Sequence, residues 1–144
     1  MRIAEPFPLD TLDACFRLLT TGPAPLALDG RRLGHGAPAR RIPLGELRTM
    51  LQHPAATDDL RRAVFHELAR LAVQDRYAWT LGLAGVLLPG LRKLAAASTM
   101  HPLVAEADVL DRFHNLLDQP ACEVAEFALT VLRFTQGALA VEKW

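Results

Sequence analysis

The stretch Tyr77-Ala78-Trp79-Thr80-Leu81-Gly82-Leu83-Ala84-Gly85-Val86-Leu87-Leu88-Pro89-Gly90-Leu91 decides the fold. It carries no charge, and between Ala78 and Leu88 apolar residues fall on every face of a helix. A helix that is apolar all round has to be surrounded by other elements. It is too short to cross a bilayer, and Gly82, Gly85 and Pro89 interrupt it. The reading is therefore a buried central helix. Gly82 and Gly85 would let a neighbouring backbone come close. Pro89-Gly90 should kink or break the helix, because proline removes one hydrogen bond and crowds the preceding turn. Arg92 and Lys93 then return the chain to solvent.

The flanking segments supply the surround. Thr57-Asp58-Asp59 is a strong helix start, with a capping hydroxyl followed by two acids at the positive end of the dipole. Leu60, Val64, Leu68 and Leu71 form its apolar stripe, widened by Phe65 and Ala72, and the helix should run to about Asp75. Arg61 and Arg62 beside the two acids read as a solvated helix start. On the other side, Pro102 to Asp118 predicts a helix with Leu103, Ala107, Leu110 and Leu117 facing inward, joined by Val109 and Phe113. Asp108, Asp111, Arg112 and Asn115 line its opposite face. Glu106 falls on the apolar side by angle. It either bonds free backbone N–H groups near a helix start or needs a partner such as Arg92 or Lys93. A last helix runs from Ala121 to about Val141, with Phe127, Val131, Phe134 and Ala138 on one face. A helix this apolar is either wrapped by its own chain or buried against a second copy.

Nearer the N-terminus, Asp10 to Thr20 repeats apolar residues at Leu12, Cys15, Phe16 and Leu19, and Thr21-Gly22-Pro23 ends the helix. The segment 22–43 is irregular and rich in proline and glycine. Within it, Leu26-Ala27-Leu28, Asp29-Gly30 and Arg31-Arg32-Leu33 resemble a small hairpin, since Asp-Gly suits a tight turn. Pro43 then opens a helix from Leu44 to about Gln52, which His53-Pro54 stops. The sum is one all-α domain over residues 1–144, a bundle of five to six helices with a loop-and-hairpin insertion near the N-terminus.

The 144 residues carry 16 basic and 16 acidic side chains, so net charge is zero and argues for neither nucleic acid nor an anionic membrane. The charge is nevertheless segregated. Arg31, Arg32, Arg40, Arg41 and Arg48 cluster against Glu46 alone, while Glu106, Asp108, Asp111, Asp118, Glu123 and Glu126 cluster against Arg112 alone. These are either solvated faces that pair in the fold or surfaces for a charged partner. With no signal-like N-terminus and no spanning run, the expectation is a cytoplasmic protein.

Catalytic constellations are missing from the pattern. His35, His53, His66, His101 and His114 show no metal-ligand spacing, and His66-Glu67 lacks the second histidine of the zinc-protease helix. Ser98, the sole serine, has no glycine-flanked turn. Cys15 and Cys122 form no zinc or disulfide framework and read as small core residues, although Cys122 sits in the first turn of a helix, where a thiolate is favoured. No metal, cofactor or catalytic residue is expected. Gly34-His35-Gly36, with Arg31, Arg32, Arg40 and Arg41 nearby, is either a phosphate-cradling loop or a turn with solvated arginines. A basic recognition helix and an aromatic-basic strip are both absent, so direct reading of nucleic acid is not expected.

Two segments also resemble a known group. They are Leu33-Gly34-His35-Gly36 with Arg40-Arg41-Ile42-Pro43-Leu44-Gly45-Glu46-Leu47, and Leu60 to Leu94 with Ala63-Val64-Phe65, Tyr77-Ala78-Trp79-Thr80 and Pro89-Gly90-Leu91-Arg92. Over roughly residues 26–117 the chain resembles actinobacterial helical proteins whose helical part is similar to region 2 of sigma-70-type transcription factors. In that resemblance Ala105-Glu106-Ala107-Asp108-Val109-Leu110-Asp111-Arg112-Phe113 takes the place of the acidic helix that grips RNA polymerase. The aromatic and basic residues with which sigma factors melt promoter DNA are not evident here, and the chain ends before a DNA-reading domain. The resemblance thus implies a polymerase-binding or other partner-binding module that does not itself read DNA.

Three expectations follow. The first is a non-enzymatic, regulatory interaction protein using Asp108, Asp111, Arg112 and Asn115, with the loop of Arg31, Arg32, His35, Arg40 and Arg41 as a second surface. The second is self-association through Phe127, Val131, Phe134 and Ala138. The third is a small-ligand binder or enzyme with a pocket beside the Gly82 and Gly85 helix and the arginine-flanked loop.

Overall fold

The computed structural model describes residues 7–135. It is mostly helical. Seven α-helices occur among the described residues: α1 Pro8–Thr20, α2 Leu44–Gln52, α3 Asp58–Gln74, α4 Arg76–Val86, α5 Leu88–Ala96, α6 Pro102–Leu116 and α7 Ala121–Thr135. Two short strands, β1 Ala27–Asp29 and β2 Arg41–Pro43, lie between α1 and α2. No helix among these residues is long and apolar enough to cross a membrane.

The helix count exceeds the expected five to six because the central apolar stretch is split. Leu87 (φ −88°, ψ 0°) ends α4 and serves as the N-cap of α5, whose first turn carries Pro89. Proline, which has no N–H to donate, is tolerated there. The break turns one long helix into two short ones, and both keep buried faces: Leu83, Ala84 and Val86 on α4, Leu88 and Leu91 on α5.

The glycines of α4 admit side chains rather than a backbone. A Cβ on Gly85 would lie 1.9 Å from Cδ2 of Phe16, and one on Gly82 would lie 2.6 Å from Cδ1 of Leu44. Phe16 of α1 fills the notch at Gly85 and is 1% exposed. The Arg48 guanidinium from α2 stacks 4.9 Å from the centre of the Phe16 ring and donates to the Gly85 carbonyl at 3.2 Å. Three helices are thereby locked at one point.

Asp29-Gly30 does not make a two-residue hairpin turn. The Asp29 carboxylate accepts the Arg31 N–H at 3.0 Å and caps a turn of 3-10 helix over Gly30–Arg32. The chain then swings through Gly34, His35 and Gly36, all at positive φ (65°, 52° and 83°), before returning as β2. β1 therefore pairs with residues 41–43 instead of 31–33, antiparallel, with Leu28 opposite Ile42.

The start of α3 is as expected: the Thr57 hydroxyl accepts the Leu60 N–H at 3.2 Å. Arg61, however, is not solvated. It is 7% exposed, and its Nε donates to the Leu51 carbonyl at 2.9 Å, Nη2 to the His53 carbonyl at 3.2 Å and Nη1 to Asp58 at 3.2 Å. A guanidinium fork reaches several acceptors at once. Here it satisfies the carbonyls left open at the end of α2.

Candidate functional site

α6 begins with His101, whose Nδ1 accepts the Leu103 N–H at 3.2 Å, followed by Pro102 in the first turn. Its buried stripe is Ala105, Val109, Phe113 and Leu116. That stripe is rotated about one position from the expected face: Leu103 and Ala107, read as inward, are exposed, while Leu117 is buried. Phe113, 1% exposed, sets the phase, because seating the largest side chain turns Leu103 outward. Glu106 then projects toward α1, where its Oε1 accepts the Leu9 N–H at 2.8 Å. Phe7, at the N-cap of α1, offers no side-chain cap, so the carboxylate of another helix serves the orphan donor. Arg92, the alternative partner of Glu106, instead pairs with Asp10 of α1 at 3.1 Å.

The outer face of α6 carries the expected contact residues. Asp111, Arg112 and Asn115 are exposed, and Asp108 is half-buried. Asp108 and Arg112 pair at 3.0 Å, one helical turn apart. Such a surface pair adds little stability. Preceding it are exposed apolar side chains: Met100, Leu103 and Val104, the last 53% exposed. Val104 and Asp108 are neighbours at the i, i+4 spacing. The surface therefore passes from apolar to acidic along one helix.

The basic loop is dispersed rather than convergent. Arg31 holds Asp29 with two bonds, Nε at 3.0 Å and Nη2 at 3.3 Å. Arg40 binds Glu46, with Nη1 to Oε2 at 3.1 Å, Arg32 lies 4.0 Å from Glu67, and Arg41 donates to the Ala27 carbonyl at 3.3 Å. The Arg31 guanidinium holds the Asp29 carboxyl below its usual range, and Arg40 does the same for Glu46. The basic and acidic segments thus find partners elsewhere than in each other: Asp118 pairs with Arg76, and Glu126 with Arg62. His35 leaves the arginines and joins Asp59, Arg62, His66, Cys122 and Glu126 around an open cleft of about 320 Å³. Cys122 is exposed there, not a core residue. No group of three or more His, Cys, Asp or Glu among the described residues is placed to hold a metal ion.

The expected self-association face is divided. Val131 is 0% exposed and belongs to the chain's own core, Phe127 is half-buried against that core, the side chain of Phe134 and all of Ala138 lie outside the described residues. Within its described residues α7 packs chiefly on α3 and next on α5, and the expected stretch over residues 136–141 lies outside them.

A second cavity, of about 210 Å³, opens between α1, α4 and α6. It lies beside the helix of Gly82 and Gly85, whose Thr80, Leu81 and Ala84 form its α4 wall, while the two glycine notches themselves are filled by Phe16 and Leu44 and none of the loop arginines lines it. Leu12, Thr80, Ala84 and Phe113 form a buried floor, with half-buried Cys15 and exposed His114 toward the mouth. Thr80 is 8% exposed, and its Oγ1 has no hydrogen-bond partner. An unsatisfied buried hydroxyl costs about 1–3 kcal/mol. Nothing in the sequence marks Thr80 as unusual, because helical threonines ordinarily bond back to the preceding turn.

No protein-family model, curated protein or solved structure matches the chain.

Proposed function

We propose that the chain is a non-enzymatic interaction protein that engages a basic protein surface through the outer face of α6. The observation that carries the reading is the division of labour on that helix. Ala105, Val109, Phe113 and Leu116 anchor it in the core, while Asp108, Asp111, Arg112 and Asn115 stand outward behind an exposed Met100, Leu103 and Val104. An apolar patch bordered by charge is the composition of a contact surface, with the apolar part giving affinity and the acids giving orientation and speed of encounter. The resemblance to sigma region 2 makes RNA polymerase the proposed partner and regulation of transcription the proposed role. The arginines of residues 31–41 are a weaker candidate, because Arg31, Arg40 and Arg41 are engaged within or beside their own loop and Arg32 lies against Glu67 of α3.

The test is affinity capture of the tagged protein from its host's lysate after nuclease treatment, read by mass spectrometry. Polymerase subunits should be retained by the native protein and lost from the Asp108→Arg, Asp111→Arg double variant, whose helical content and Tm stay close to native. Capture of the bait alone, or equal capture by the variant, overturns the reading.

A further inference from the structure

The cavity between α1, α4 and α6 is separate from the outer face of α6, and its chemistry is different. We infer that it is a binding site for a small, uncharged ring compound bearing a hydroxyl group. Among its lining residues there is no Asp, Glu, Lys or Arg. The one imidazole, His114, is exposed at the mouth, and an ion reaching the floor of Leu12, Ala84 and Phe113 would give up hydration without a counter-charge there, so the guest is neutral. Its size, about 210 Å³, exceeds the ~150 Å³ of an apolar cavity that accepts benzene, so a single ring with a substituent fits. The floor of Leu12, Ala84 and Phe113 supplies apolar contact. A ring offers that contact with few rotatable bonds to freeze on binding.

Thr80 supplies the polar requirement. Its hydroxyl is buried in the cavity wall and unbonded. Helical threonine divides between two χ1 rotamers, so Oγ1 can turn toward a guest by exchanging places with the methyl group. A guest hydroxyl, both donor and acceptor, would pair with it and relieve the cost of the orphan atom. A site built to hydrogen-bond a hydroxyl discriminates against the analogue that lacks it, because the analogue leaves the orphan in place.

Phenol and toluene are matched in shape and differ only in hydroxyl against methyl. Thr80 and valine differ in the same way. The experiment titrates both compounds into the native protein and into Thr80→Val, following backbone amides by NMR. Phenol should shift the amides around Thr80, Ala84, Leu110 and Phe113, and bind the native protein about 3- to 10-fold more tightly than toluene, the worth of one hydrogen bond. In Thr80→Val that preference should vanish, with toluene bound at least as well as before. Because the substitution removes an unsatisfied group without changing volume, the variant's Tm should equal or exceed the native one. Absence of localised shifts up to millimolar concentration of both compounds overturns the site. An unchanged phenol preference in Thr80→Val overturns the role given to Thr80, and with it the hydroxyl specificity.

Discussion

Phe16 and Gly85 interlock: the phenyl ring occupies the space that any side chain at position 85 would need, with Cδ2 only 1.9 Å from where a Cβ would sit. The ring cannot swing aside, because it is buried and the Arg48 guanidinium covers it at 4.9 Å. Gly85→Ala should therefore destabilise the protein by about 2 kcal/mol, the strain of overpacking outweighing the roughly 1 kcal/mol gained in helix propensity. Gly82→Ala crowds the flexible end of Leu44, with Leu26 and Trp79 at ordinary contact distance, and should cost less than half as much. Urea unfolding of the two variants checks the ranking. Adding Phe16→Leu to Gly85→Ala should recover part of the loss, a non-additivity that unconnected sites would not show.

Arg61 is the tie between α2 and α3. Arg61→Met leaves the carbonyls of Leu51 and His53 without their donor and should cost about 2–3 kcal/mol. Arg61→Lys should recover less than half of that, since an ammonium cannot reproduce a fork across three acceptors. Thermal unfolding at constant pH and salt distinguishes the two.

The split of the central stretch, the cap at Thr57 and the inward faces of α3 were legible in the sequence because each follows from local chemistry: a proline, a hydroxyl, a period of 3.6. The pairing of β1 was not. Asp29 could close a hairpin or cap a 3-10 turn, and the choice depends on where Ile42 finds its place in the core. The phase of α6 was off by one position for a similar reason, because its apolar residues spread over more of the helix than one face can bury, and only the neighbouring helices settle that Val109 and Phe113 are seated and Leu103 is not. Glu106 announced itself by its angle, a carboxylate on an apolar face, although its partner in α1 could not be named. Arg61 and Thr80 gave no signal, since a buried guanidinium and an orphan hydroxyl are properties of surroundings contributed by distant residues.

Asp58 makes the acid response specific. The Arg133 guanidinium, and after it Arg61, hold its carboxyl below the usual range. A lowered pKa in the folded state contributes stability above the unfolded value of about 3.9 and loses it as pH falls through the folded value. The Tm difference between the native protein and Asp58→Asn should be constant from pH 7 to about 5, and shrink below about pH 4. Asp58 is partly exposed, so added salt should reduce the difference at neutral pH.

Glu106→Ala removes the cap on α1 and should cost about 1–2 kcal/mol, with faster hydrogen exchange at the Leu9 amide. Glu106→Gln keeps an acceptor oxygen and should retain most of the protection. Loss of protection equal to that of the alanine variant would show that charge, not the hydrogen bond, is what α1 needs.

The same bond has a consequence for how the protein is made. Leu9 and Glu106 are 97 residues apart, so on the ribosome α1 leaves the exit tunnel long before its cap exists. At about 5–20 residues per second the delay is on the order of 5–20 s. Over the first part of it, Phe16 meets only Arg48 of α2, and the notch that seats its ring arrives later with Gly85 of α4. α1 thus stays uncapped until α6 has been made, and for those seconds part of its apolar face is exposed rather than part of a fold.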